Sequence, residues 1–159
     1  MSLATDSIFI TALQSNGDLM EALGYDAQTG EPARLYCTAI PLPDEDAENV
    51  PVPYVIVTFD GLTNDQGTKD DRYESPYDTV NIGVEVTAKT LDDLHDLTQM
   101  VRDTILSYLR TNDTAIMDYN FAAQQIQYDS LKPCYWQVLT YQCDVVNTHD
   151  DEQESNSDI

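Results

Sequence analysis

The chain has 159 residues, with 29 acidic side chains against 7 basic ones and a formal charge of −22. That length supplies one domain with its own core. The charge excludes wrapping a nucleic acid, because Lys and Arg must then replace condensed counterions, and no run of about 18 apolar residues is present to cross a membrane as a helix.

The first residues, MSLATDSIFITALQSNG, lack a basic stretch and carry Asp6 early. They do not resemble a secretory signal, so synthesis in the cytosol is expected. Thr5 to about Gln14 reads as a helix, with Ala4, Ile8, Ala12 and Leu13 forming its apolar stripe. Asp18 and Glu21 have capping-box spacing, and Gly24 suits the left-handed position that ends a short second helical turn. Tyr25 to Pro32 is loop, broken by Gly30 and Pro32.

Arg34 to Ile40 is a candidate strand. Residues 41 to 53 hold four prolines and four acids. Proline cannot donate to a ladder and like charges repel, which predicts an exposed loop. Tyr54 to Asp60 (YVIVTFD) is rich in β-branched and aromatic residues and reads as strand. Gly61 to Tyr77 is loop again.

The stretch from Thr79 to Leu109 organises the rest. Val80, Ile82, Val84, Val86 and Ala88 alternate with Thr79, Asn81, Gly83, Glu85 and Thr87, the pattern of a strand with one apolar face. The period then changes. Leu94, Leu97, Val101, Ile105 and Leu109 form one stripe of a helix. Thr90 can accept hydrogen bonds from first-turn amides, and Asp92 and Asp93 face the positive end of the helix dipole. Thr111 to Asp118 then connects, Phe121 to Leu131 alternates weakly, and Lys132-Pro133 turns. Cys134 to Val146 is the last strand. From Asn147 the chain is polar and acidic and is expected to be disordered.

This order predicts an α+β fold: a mostly antiparallel sheet of four to five strands, with two main helices packed on one face. Residues 1 to 146 form one domain and 147 to 159 a tail. The other sheet face would carry Glu85, Thr87 and one side of the tyrosine-rich last strand, a mixture suited to a partner surface.

Catalytic and metal chemistry find little support. His95 sits beside Asp92 and Asp96 on the helix, and His149 is in the tail. No G-x-S-x-G elbow is present for a serine nucleophile. The run NDQGTKDD is similar to a calcium loop, but its ligand positions are Leu62, Asn64, Gln66 and Tyr73. A metal-dependent nuclease would pair Asp78 with Glu85 and a lysine two residues on. Thr87 occupies that place, and Lys89 stands about 13 Å from Glu85 along the strand. Phosphate-binding glycine loops are absent. Ten tyrosines without basic neighbours do not form a base-stacking platform. Cys37, Cys134 and Cys143 read as buried free thiols, since the last two are separated by roughly 30 Å along one strand. No enzyme activity and no cofactor are expected.

Element order carries a resemblance. An N-terminal helix leads to a short strand, then a Pro-rich approach to PYVIV at Pro53 to Val57. An acidic loop and the strand TVNIGVEVTAK follow, then the helix TLDDLHDLTQMVRDTIL. From Ser2 to Val146 this resembles the tail-completion or tail-terminator proteins of long-tailed bacteriophages. The resemblance implies a ring, often a hexamer, that ends the tail tube and docks to the head connector. It implies partners among tail-tube and connector proteins, and residence in the virion after assembly in the host cytoplasm. Gly61 to Tyr77 would be the long hairpin that reaches a neighbour or faces the tube. The candidate contact residues are Asp65, Lys69, Arg72, Tyr73, Tyr77, Glu85, Tyr135 and Trp136. The acidic tail after Val146 has no counterpart in that pattern. A head-completion or neck protein, and a small-ligand or regulatory binding module, are the alternative readings.

Overall fold

The computed structural model describes residues 2–43, 46–47, 49–64 and 76–147. The strands are β1 (Leu35–Cys37), β2 (Tyr54–Thr63), β3 (Tyr77–Ala88), β4 (Ile116–Ala123), β5 (Gln127–Asp129) and β6 (Cys134–Val146). They form one sheet in the order β1-β2-β3-β6-β4, with β5 paired to the start of β6. Every pairing is antiparallel except that of β1 with β2. The helices among the described residues are α1 (Thr5–Gln14), α2 (Gly17–Ala22) and α3 (Leu91–Thr111), with a single 3-10 turn at Ser2–Ala4. The fold is the expected α+β class. The sheet gains a sixth strand because the weakly alternating stretch from Phe121 to Leu131 divides between β4 and β5.

β3 is the central strand. All twelve of its residues pair with β6, and it pairs with β2 on its other side. Its apolar set, Val80, Ile82, Val84, Val86 and Ala88, is at most 1% exposed. Only Lys89 and Thr90 separate it from α3. Thr90 is extended, and its Oγ1 accepts the Asp93 amide at 3.1 Å, so the N-cap expected from the sequence is present. Leu94, Leu97, Val101 and Ile105 of α3 cover one half of the apolar face, with Phe9 and Leu13 of α1 in the same cluster. Each such side chain removed from water contributes roughly 1.5–3 kcal/mol.

Several local details depart from the expected pattern. The buried stripe of α1 runs through Thr5, Phe9, Ala12 and Leu13, leaving Ala4 exposed and Ile8 half-buried. Phe9 turns inward because it packs on Tyr141 of β6, ring centroids 5.1 Å apart. Tyr119 and Phe121 of β4 complete that cluster at 5.5 and 5.2 Å from the same ring. The cap of α2 is Asn16, not Asp18. Asn16 is extended and accepts from the Asp18 and Leu19 amides, which places Asp18 inside the first turn. Its Nδ2 also donates to Thr104 Oγ1 on α3 at 2.8 Å, tying the two helices together. Gly24 does take a positive φ of 97°, and the Arg34 guanidinium lies where a Cβ would project.

The strand expected from Arg34 to Ile40 shortens to three residues. Thr38 has φ 72°, which ends the extended run. The strand after Tyr54 runs on to Thr63 through a register shift between Phe59 and Gly61. β4 starts at Ile116, where a connection was expected. Its own register shift, between Ile116 and Asp118, spaces the inward residues Ile116, Tyr119 and Phe121 unevenly and hides the period. Cys134 and Cys143 are buried as expected, but Cys37 is exposed. It ends the edge strand, where no further strand covers it, and its Sγ lies 3.3 Å from Asp6 Oδ2.

Two substitutions test this packing. Asn16→Ala removes the α2 cap and the bond to Thr104, and is expected to cost about 1–2 kcal/mol in urea unfolding. Tyr141 is 1% exposed, yet its hydroxyl has no hydrogen-bond partner among the described residues. Tyr141→Phe is therefore expected to leave stability unchanged or raise it by roughly 0.5–1 kcal/mol, whereas a paired buried tyrosine would lose about that amount.

Candidate interaction surface

Among the described residues the helices cover one face of the sheet, and no helix lies on the other, here called the open face. Strand register decides which side chains line the open face. In β3 these are Thr79, Asn81, Gly83, Glu85 and Thr87, opposite in parity to the buried valines. β2 adds Tyr54, Ile56 and Thr58, each paired across from one of them. β6 adds Trp136, Val138, Thr140, Gln142 and Asp144. Tyr36 of β1 continues the row beyond Ile56.

One end of this face is aromatic. Thr87 lies between its cross-strand partners Tyr54 and Trp136, and it is only 1% exposed although no helix covers it. The rings on either side exclude water from it. Tyr36 stands 6.5 Å from the Tyr54 ring. Lys132, from the β5–β6 turn, approaches the same ring at 5.2 Å and donates to the Val50 carbonyl at 2.6 Å.

Glu85 is next along β3. Its cross-strand partners are Ile56 on one side and Val138 on the other. It makes no hydrogen bond or ion pair among the described residues, and burial alone pushes its carboxyl above the usual glutamate range. Tyr54, Cys134 and Asp129 are the titratable groups coupled to this end of the face, and burial first, then neighbouring negative charge, raises the Cys134 thiol. Further along, Gly83 permits a close approach. A Cβ there would lie 2.5 Å from Asp60 Oδ2 and 2.7 Å from Thr58 Oγ1. The Asp60 carboxylate therefore folds over the middle of the sheet from the β2 irregularity.

The expected contact residues divide. Glu85 and Trp136 share the open face. Tyr77 has the same parity but sits eight residues from Glu85, roughly 26 Å along the strand. Tyr135 points to the helix side, opposite Ala88, with its ring 4.9 Å from Tyr128. Asp65, Lys69, Arg72 and Tyr73 lie outside the described residues, as do most of the suggested hairpin and the tail from residue 148. Tyr54, Tyr36 and Asp60 were missed as members of this face. The alternation of YVIVTFD does place Tyr54 opposite in parity to Val55 and Val57, but nothing in the sequence gives the register to β3.

Elsewhere the chemistry disperses. Asp78 is buried on the helix side, where Asn64 Nδ2 donates to it at 2.7 Å, so it lies on the opposite face from Glu85. His95 is exposed on α3. A groove of about 880 Å3 runs beside α3, lined by Asp18, Asp96 and Asp103 among others. Several of its polar groups bond to one another, Asn16 to Thr104 and Gln99 to Asp103. Among the described residues no three His, Cys, Asp or Glu side chains converge as metal ligands.

No protein-family model matches this chain, and no curated protein matches it. Among solved structures it is similar to a chain from the virion of a native gene transfer agent particle, with a TM-score of 0.55 at 10% identity. The likeness covers 89% of this chain and 94% of that one. At this identity the fold is what is shared.

Glu85 gives a pH prediction. Its folded-state pKa is raised, so folding favours the protonated carboxyl, and stability falls as pH climbs from 4.5 through the raised value. Glu85→Gln is expected to stabilise the protein at pH 7 by roughly 0.5 kcal/mol, a figure discounted for partial solvent screening. The gain should vanish as pH falls below 4.5. Thermal unfolding of both proteins across pH 4 to 8 measures it.

Proposed function

We propose that this chain is a structural protein of a phage-type virion that forms a ring, caps the tail tube and docks to the head connector. The observation that carries this reading is the likeness to a gene transfer agent virion chain over nearly the full length of both. Coverage of that extent is more than one shared supersecondary unit. A head-completion or neck protein of the same architecture is the second reading, because a likeness to a virion chain does not specify a position in the particle.

The molecule works through surfaces. Asp78 and Glu85 project from opposite faces of β3, and His95 is exposed on α3, so the residues considered for catalysis are kept apart. Self-association has a plausible route through the sheet edges. Among the described residues neither β1 nor β4 has a second strand partner. An unpaired edge accepts a neighbour's strand, and a head-to-tail contact of this kind closes into a ring. Six copies, the number implied by the family resemblance, would surround a channel. An acidic bore repels DNA and lets it slide.

The charge sets the conditions for assembly. Each copy carries −22, so neighbours repel at low ionic strength. Light scattering is expected to give the 17.9 kDa chain in about 20 mM salt and a ring mass in about 500 mM salt, or on addition of tail-tube protein from the same virion. A single-chain mass under all three conditions overturns the ring.

A further inference from the structure

The six strands carry Asp60, Asp78, Glu85, Asp118, Asp129 and Asp144 and not one Lys or Arg. All but Asp78 belong to the open side. Glu85, Asp129 and Asp144 have open-face parity, Asp118 pairs with Asp144, and Asp60 folds over Gly83. Among the described residues, three cations beside the sheet are engaged elsewhere. Lys132 is held by the Val50 carbonyl and the Tyr54 ring. Arg34 donates to the Pro53 carbonyl at 3.0 Å, and Arg102 lies over Phe121 on the helix side at 4.1 Å from its centroid.

We propose that the open sheet face, centred on Glu85 and Trp136, is the docking surface for an arginine- or lysine-bearing segment of a different virion protein. That the partner belongs to a virion rests on the function proposed above; that it is basic rests on this face. A carboxylate set between Ile56 and Val138 has lost part of its hydration and gained no partner among the described residues. A guanidinium or ammonium brought there forms charge-assisted hydrogen bonds. Trp136 adds a ring face that attracts the same cation. A second copy is the wrong occupant, because two such faces oppose acid to acid. Nucleic acid is repelled for the same reason.

Trp136 is the only tryptophan, so its emission reports on this face alone. The full chain is titrated at about 0.15 M salt with the blocked peptide Gly-Arg-Thr-Arg-Gly, and with the same peptide carrying citrulline in place of arginine. A saturable emission change with the arginine peptide only is expected. Glu85→Gln should weaken it about tenfold, while Asp103→Asn, which removes one charge from α3, should change it less than about twofold. The proposal is overturned by no emission change, by equal binding of the citrulline peptide, or by equal loss in both variants, which would mean diffuse attraction to an acidic protein. It is also overturned if raising the protein concentration alone shifts the emission, since a second copy then covers the face. Light scattering of the unsubstituted chain beside the titration separates the two hypotheses: peptide docking without a ring leaves this inference standing and removes the ring.

Discussion

The structure depends on the position of β3 between β2 and β6, with α3 returned onto it after two residues. A strand paired on both sides cannot slip by one residue without moving Val80, Ile82, Val84, Val86 and Ala88 to the opposite face. Those five side chains are almost fully buried, so such a slip would expose an entire core layer. The short link through Lys89 and Thr90 fixes which face α3 must cover. Once α3 is there, the apolar residues of α1 have one place to pack, and the sheet acquires a covered side and an open one. The parity of Glu85, and hence its position on the open side, follows from the same register.

Much of this was legible because it depends on local periodicity. The alternation of β3, the stripe of α3 and the Thr90 cap each occupy a few consecutive residues, and the structure has all three. What escaped depends on partners distant in sequence. Asn16 is an ordinary loop residue until Thr104, 88 positions away, is placed beside it. Phe9 displaces Ile8 from the core because Tyr141 supplies a ring to pack against. Irregular register blurs the alternation of β4, so its start was read as a connection. Cys37 has the composition of a core residue, but a three-residue edge strand leaves it uncovered.

The open face was legible in part for the same reason. Glu85 and Trp136 could be assigned to it by parity once their strands were recognised. Tyr135 could not, because the parity of one strand relative to another is set by pairing register. That register places Trp136 across from Thr87 and Tyr135 across from Ala88. The likeness to a virion chain at 10% identity is consistent with this division. Core periodicity can persist in a fold while almost every individual residue changes, because cores tolerate exchange of apolar residues when volume and pattern are kept.

The two faces of the sheet also explain how so acidic a chain can fold. Folding relies on the helix side, where Asp78 is the one strand acid and is satisfied by Asn64. The remaining strand acids stand on the side away from the core, so their mutual repulsion opposes compaction weakly. The same placement leaves the strands with acids and no Lys or Arg on the open face. Contacts through strand edges use backbone groups, which carry no net charge and can join like copies. Contacts through the proposed docking face would use side chains, which disfavour a like copy and favour a basic partner. One register, set by the alternation of β3, therefore gives the sheet an apolar, covered side and an opposite side that holds most of the strand acids.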